Sequence, residues 1–280
     1  RRCIMSRIKV MVNGLPGNMS AKAAEHILRD AGLQLIPHAL TGPEIEATET
    51  RVGSQSIRLI KPGDRQQAIE AIKASEGVVI CVDYTHPKTV NDNAAFYCDH
   101  GLPFVMGTTG GDRTLLVETV KKSQTAAVIA PNMAKQIVAF QAMMEYAAET
   151  FPNVFQGYHL EIKESHQQGK ADTSGTAKAM IGYFNRLGVP FTKDQIKMER
   201  DPKVQRSAWG IPEAYLGGHG WHNYALTSED GTVFFQFTHN VNGREIYAAG
   251  TVDAIYYLAQ KIDQGIKGRA FTMIDVLKGV

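Results

Sequence analysis

Cysteine is scarce: Cys3, Cys81 and Cys98 are the only three, and no Cys-x-x-Cys spacing occurs. An odd count without that spacing argues for a reducing compartment and against a disulfide framework or a thiolate zinc site. Cys81 lies in an apolar stretch and reads as a small core residue. Long apolar runs are missing too. None approaches the ~20 residues needed to cross a bilayer, so no membrane partner is expected. Neither sign of charge dominates. Thirty Lys and Arg against 28 Asp and Glu leave a net charge of +2, which offers no footing for nucleic acid or an anionic surface. The nine His show no His-x-x-x-His or His-Glu-x-x-His spacing, and no metal is expected. His159 and His166 face opposite ways on one strand. The 280 residues are 44% apolar and 21% charged, the composition of a soluble globular protein of roughly two domains. The basic opening, Arg1-Arg2-Cys3-Ile4-Met5-Ser6-Arg7, lacks the apolar core of a secretory signal. It fits either a cloning remnant or the stub of a removed transit peptide.

What is present is an alternation of strand and helix. Strands are expected at Ile8–Val12, Leu33–Pro37, Ser56–Ile60, Gly77–Val82, Pro103–Met106 and Ala126–Ala130. Helices are expected at Asn18–Ala31, Arg65–Ala74, Thr89–His100 and Asp112–Lys122. Repeated βα units imply a parallel sheet covered on both faces. A long helix, Lys135–Phe151, leads into alternating stretches at Tyr158–Glu164, Ile196–Arg200, His222–Thr227 and Val233–Thr238. A helix at Val252–Ile262 and a short element at Met273–Lys278 follow. The fold class is therefore α/β. A Rossmann-like parallel-sheet domain carries an inserted α+β domain built on an open mixed sheet. The expected division is 1–133 for nucleotide binding, 134–250 for substrate and oligomerisation, and 251–280 as the return.

Asn13-Gly14-Leu15-Pro16-Gly17-Asn18-Met19-Ser20 joins the first strand to the first helix. Glycines there let the backbone approach a pyrophosphate, which the helix N-terminus binds. The second strand runs into Pro37-His38-Ala39-Leu40-Thr41 with no acid until Glu44. An acid at that point holds the ribose 2′-hydroxyl of NAD, and its absence permits a 2′-phosphate. NADPH is thus favoured over NADH, with Thr41, and His38 if protonated, as donors. Two further strand-end turns, Asp83-Tyr84-Thr85 and Gly107-Thr108-Thr109-Gly110, suit packing against ribose and nicotinamide.

The stretch from Glu164 to Thr176 carries the chemistry: Glu164-Ser165-His166-Gln167-Gln168-Gly169-Lys170-Ala171-Asp172-Thr173-Ser174-Gly175-Thr176. It follows a strand and opens a helix whose apolar residues fall at Ala177, Met180, Ile181, Phe184 and Leu187. His166 can give or take a proton near neutral pH. Lys170 is a fixed cation. Ser174, Gly175 and Thr176 offer N–H groups at the positive end of a helix. The combination suggests an enzyme acting on a small acidic molecule. His219, His222 and His239 read mainly as sheet or loop residues, and Trp209 and Trp221 as packing residues.

Taken together these segments resemble the 4-hydroxy-tetrahydrodipicolinate (dihydrodipicolinate) reductases of the lysine/diaminopimelate pathway. Ala130-Pro131-Asn132-Met133, His239-Asn240 with Arg244, and Gly250-Thr251-Val252-Asp253-Ala254 complete the pattern over nearly the whole chain. The resemblance implies His166 as proton donor and Lys170 as partner of a substrate carboxylate or developing charge. Ser174, Gly175, Thr176 and Gln167 would meet the substrate. Gly14, Gly17, Asn18, Met19, Asp83, Tyr84, Thr85, Gly107, Thr108, Thr109, Pro131, Asn132, Met133 and Arg244 would meet the cofactor. It further implies a homo-oligomer, tetramer or dimer, joined through the second sheet. The compartment would be the chloroplast stroma in a plant or alga and the cytoplasm otherwise. His166-Gln167 replaces the His-His of many bacterial members, and Gly110-Gly111-Asp112-Arg113-Thr114 is similar to the plant-type branch. Ser20 stands where Gly usually follows the Met, so a slightly altered pyrophosphate contact is expected. Two alternatives remain. One is another two-domain NAD(P) oxidoreductase; a semialdehyde dehydrogenase would need a cysteine after Cys98, and none exists. The other is an inactive nucleotide-sensing relative, against which the presence of His166 and Lys170 speaks.

Overall fold

The computed structural model describes residues 7–170 and 172–279. The expectations for 1–6, Cys3 among them, and for Ala171 lie outside the described residues. The chain divides into two compact units. One runs up to Lys135 and resumes at Glu245; the other is Gln136–Arg244.

In the first unit the elements are β1 (Ile8–Asn13), α1 (Asn18–Arg29), β2 (Leu33–Leu35), β3 (His38–Leu40), β4 (Glu49–Val52) and β5 (Gln55–Ile60). Then come α2 (Arg65–Glu76), β6 (Ile80–Asp83), α3 (Val90–Asp99), β7 (Phe104–Met106), α4 (Arg113–Lys121) and β8 (Ala126–Ile129). β6, β7 and β8 are buried along their whole length, as strands covered on both faces must be. Met11, Cys81, Tyr97 and Phe104 share one continuous core.

In the second unit α5 (Lys135–Thr150) precedes β9 (Tyr158–His166), α6 (Gly175–Arg186), β10 (Lys197–Glu199), α7 (Pro202–Ser207), β11 (His219–Ser228) and β12 (Phe234–Asn242). The sheet order is β10-β9-β11-β12. β10 runs parallel to β9 and the other pairs are antiparallel, so the sheet is mixed. Ile162 and Tyr224 on one face pack with Met180 and Phe184 of α6 and Met144 of α5. Phe184 is fully buried; truncating such a ring to Ala costs about 3–5 kcal/mol.

The first unit resumes with α8 (Glu245–Asp263), β13 (Arg269–Phe271) and α9 (Met273–Lys278). Its main sheet is parallel, in the order β13-β8-β7-β6-β1-β2. The chain reverses direction between β1 and β6, which opens a crevice at their carboxyl ends.

The elements depart from the sequence expectation in three places. Leu33–Pro37 is not one strand. Pro37 supplies no N–H, β2 stops at Leu35, and His38 starts a strand of a separate three-stranded sheet, β3-β5-β4. Ser56–Ile60 belongs to that sheet rather than to the parallel one. Finally, α8 begins seven residues before Val252 and runs through Gly250, which is buried within it.

Candidate active site

Glycine conformation shapes the nucleotide edge first. Gly14 leaves β1 at φ +96°, and a Cβ there would lie 2.2 Å from the Tyr84 carbonyl oxygen; only glycine satisfies both conditions. Gly17 is the N-cap of α1, with no side-chain cap and no acidic residue in the first turn. The first N–H groups of α1, at Asn18 and Met19, are therefore unclaimed by a cap, as a pyrophosphate site requires. α4 shows the contrast: Asp112 caps it by accepting from the Leu115 N–H. Ser20 is wholly buried, with its hydroxyl 2.8 Å from the carbonyl oxygens of both Gly14 and Gly17. It braces the loop through those two carbonyls.

Thr85, Gly107, Thr108 and Thr109 follow β6 and β7, and Pro131, Asn132 and Met133 follow β8. The sheet order places these turns side by side along one edge. Asn132 closes its turn by accepting from the Ala134 N–H at 2.9 Å. Asp83 does not offer its side chain to a ligand. Its carboxylate is fully buried and accepts from Tyr97 Oη at 2.8 Å, Asn93 Nδ2 at 3.0 Å, Thr85 Oγ1 at 2.8 Å and Thr108 Oγ1 at 2.6 Å. It ties the Thr85 and Thr108 turns together. The Tyr84 hydroxyl is likewise engaged, 2.5 Å from Thr251 Oγ1.

The donors expected for a 2′-phosphate need correction. Thr41 spends its hydroxyl hydrogen on the Leu15 carbonyl at 2.8 Å. Burial first, and then Arg58, push the His38 imidazole down, so it is neutral at pH 7. Arg58, exposed and opposite His38 in the register, is a cation brought close by strand pairing that a single strand could not reveal.

In the second unit, pairing register assembles the chemistry. His222 lies directly opposite Glu164 on β9 and opposite His239 on β12. Glu164 and His166 share a strand face by the two-residue period. Gly220 is opposite His166, and a Cβ there would come within 3.0 Å of His166 Cε1. The His166 ring meets the His222 ring edge-on at 5.1 Å, and His222 stacks on His239 at 4.6 Å.

His166 Nδ1 lies 3.0 Å from the His219 carbonyl oxygen. A carbonyl only accepts, so Nδ1 carries hydrogen and Nε2 is the titrating atom. Nε2 is buried without a hydrogen-bond partner. Burial, then His222, push this imidazole down to about 4, with Arg200 adding to them and Glu164 and the His219 carbonyl opposing. Burial, His222 and His166 push His239 down to about 3. Burial works against the Glu164 carboxylate too, yet hydrogen bonds from His222, Arg200 and the Ser174 N–H hold it well below the usual carboxylate range.

Ser174 caps α6: its Oγ accepts from the Ala177 N–H at 3.0 Å and lies 2.8 Å from His222 Nε2. Its own N–H goes to Glu164 Oε2 at 3.1 Å. Ser174 therefore holds the site together, and the N–H groups left at the helix start are those of Gly175 and Thr176. Gln167 closes a turn with its carbonyl, accepting the Lys170 N–H at 3.0 Å. The Lys170 ammonium has no partner among the described residues. Arg244 alone among the expected cofactor residues falls in this unit, its guanidinium beside Gly218.

Glu164, His166 and His222 present ligand atoms within 4.8 Å of one another. The Arg200 guanidinium, 2.5 Å from Glu164 Oε1, opposes a second cation there. The trio reads as a proton site. Glu164 and Arg200 are not among the site residues expected from sequence, and His222 and His239, read as sheet or loop residues, lie on β11 and β12 with their rings stacked. Only the alternation of Glu164 with His166 hinted at a shared face; cross-strand register decides the rest.

Family models described as dihydrodipicolinate reductase, N-terminus and C-terminus, match residues 8–133 and 136–277. The chain belongs to the dihydrodipicolinate reductase family. It is 48% identical over 271 residues to "4-hydroxy-tetrahydrodipicolinate reductase 2, chloroplastic" of Arabidopsis thaliana, covering 97% of this chain and 77% of that one. It is 47% identical to "Probable 4-hydroxy-tetrahydrodipicolinate reductase 1, chloroplastic" of Oryza sativa subsp. japonica, covering 96% and 78%. Among solved structures, a dipicolinate-bound dihydrodipicolinate reductase from Paenisporosarcina sp. TG-14 superposes with TM-score 0.65 at 17% identity, covering 95% and 97%. That similarity is one of fold. No helix among the described residues is long and apolar enough to cross a membrane.

Proposed function

We propose that this family member reduces 4-hydroxy-tetrahydrodipicolinate, by way of dihydrodipicolinate, to tetrahydrodipicolinate with NAD(P)H, as a step of lysine and diaminopimelate biosynthesis in the chloroplast stroma. The observation that carries the reading is His166 Nε2, buried and unpartnered, at the end of the strand that leads to Lys170 and the start of α6.

The substrate ring bears two carboxylates. Gly175 and Thr176 N–H groups hold one, and the Lys170 ammonium holds the other or the charge that develops on the ring. Gly14, Gly17 and the start of α1 hold the cofactor pyrophosphate, while Gly107 to Thr109 pack against nicotinamide. When bound, that cofactor supplies the hydride for one ring carbon. His166 Nε2 supplies the proton for the neighbouring carbon. In the free protein this imidazole is neutral at pH 7, pushed down to about 4. A dianionic substrate beside it favours the protonated form, so the acid arms itself as substrate arrives. NADPH is the preferred cofactor in this reading, supported by the missing acid after β2 and by exposed Arg58. NADH remains usable. A homo-oligomer through the second sheet is supported by β12, an edge strand with Phe234 59% exposed.

The test follows NADPH absorbance with substrate generated freshly from pyruvate and aspartate semialdehyde. Wild type should turn over. His166→Ala should lose turnover by on the order of 10²-fold while calorimetry shows unchanged NADPH binding. Near-wild-type turnover in that variant would sink the assignment.

A further inference from the structure

Glu164 and Arg200 have no task in that reaction, yet they form the most buried Arg or Lys ion pair among the described residues, with side chains 0% and 18% exposed. Burying two charges seldom adds net stability, so the pair invites a question about what it positions. Arg200 uses three nitrogens at once. Nη2 reaches Glu164 Oε1 at 2.5 Å, Nε donates to the Lys170 carbonyl at 2.9 Å, and Nη1 donates to the Glu199 carbonyl at 2.9 Å. The other carboxylate oxygen of Glu164 takes the Ser174 N–H at 3.1 Å. The pair thereby grips both ends of the 170–174 segment, which carries the substrate-facing Lys170 and leads into Gly175 and Thr176. That same oxygen lies 3.9 Å from His166 Nε2 and 3.6 Å from His222 Nε2.

We infer that Glu164 and Arg200 are positioning residues for the general acid: the pair anchors the Lys170 segment and presents His166 with a carboxylate whose charge Arg200 partly cancels. The inference rests on the reading of His166 as proton donor. The other groups facing His166 are His222 and the His219 carbonyl from β11, and His239 from β12. Of these, His222 also meets the segment, at Ser174 Oγ, but only the Glu164–Arg200 pair takes the backbone at both of its ends. The two members act on His166 with opposite sign. Glu164 favours the imidazolium and Arg200 disfavours it, so removing one member or the other should move His166 in opposite directions. Simple loosening of the fold would move both variants the same way.

The experiment titrates His166 by NMR of isotope-labelled histidines, assigned with His166→Ala, in wild type, Glu164→Gln and Arg200→Met. Reductase pH profiles are recorded on the same samples. We expect the His166 titration and the basic limb of kcat to move down by about one pH unit in Glu164→Gln and up by about one unit in Arg200→Met, a Coulomb interaction across ~4 Å reduced by solvent. NADPH affinity should hold in both. Arg200→Lys keeps the charge without the fork. It should leave the titration near wild type and raise KM more than it lowers kcat, and it also serves if Arg200→Met fails to fold. Titrations that stay put, or move the same way in both variants, overturn the inference. Opposite shifts in the two variants, with a wild type that reduces no substrate, would leave the pairing standing and remove the proposed function instead.

Discussion

Asp83 and Glu164 are both fully buried carboxylates near strand ends, one in each unit, and they are satisfied in different ways. Asp83 is ringed by neutral donors: Tyr97, Asn93, Thr85 and Thr108. Their hydroxyls and amide do not titrate near neutrality, so the knot has one state and holds two turns at fixed spacing. Glu164 is ringed by Arg200, the Ser174 N–H and, within 4 Å, the rings of His222 and His166. Its partners carry or acquire charge. Burial cost is met in both places, but only the second arrangement responds to a proton. The knot of the first unit is thus rigid, and the cluster of the second is a tunable field.

Removing the neutral knot should have the largest effect. Asp83→Ala strands the buried Tyr97 hydroxyl and removes the charged acceptor shared by Asn93, Thr85 and Thr108, at about 1–3 kcal/mol for each bond to a charged or buried group, so chemical denaturation should show a loss on the order of 4 kcal/mol. NADPH binding should fall with it, while pyridine-2,6-dicarboxylate binding to the folded protein holds. Loss of the dicarboxylate with NADPH retained would reverse the comparison.

Acid should break the charged region first. His166 is pushed down to about 4 in the folded protein from ~6.5 in the unfolded chain. Between those values the unfolded state binds more protons, so the His166 contribution is complete above pH ~6.5 and is lost as pH falls towards ~4. The drop from His166 is about 3 kcal/mol, at ~1.4 kcal/mol per unit. Glu164, held below the usual carboxylate range, adds further loss below about 4.5. Urea unfolding at pH 7 and pH 4.5 checks this: His166→Gln should lose less stability than wild type between the two. Equal losses would mean that the imidazole titrates normally.

The smallest change sharpens the division of roles. Lys170→Ala removes a charge-assisted bond of roughly 1.5–3 kcal/mol. It should weaken pyridine-2,6-dicarboxylate by roughly ten- to a hundredfold and leave NADPH affinity alone. A collapse of NADPH binding with inhibition intact would move Lys170 to the cofactor side.

Much of this was legible from residue order. Consecutive βα units and the Gly14–Gly17 pair announced the parallel sheet and the tight turn after β1, because strand and helix periods and glycine turns are local properties. His166, Lys170 and the start of α6 stood out because they are within one short segment. The roles of Ser174 and Asp83 were misplaced for a common reason. Sequence shows that a polar group exists, not whether an internal partner has already taken it. Thr41 erred the same way, and the three-stranded sheet around β5 was invisible because three- and four-residue strands carry too little periodic signal.

The sequence by itself determined where protons, charges and backbone freedom are available: His166, Lys170, Gly14, and a helix opening at Gly175. Tertiary structure decided which of them are free to act. The register of β9 with β11 and β12 sets His222 against Glu164 and His239 against His222, and burial in that row pushes His166 down and pairs Arg200 with Glu164. A pKa depends on everything within a few ångströms, and the pairs that meet here are 17 to 58 positions apart in the chain; no local pattern can encode them.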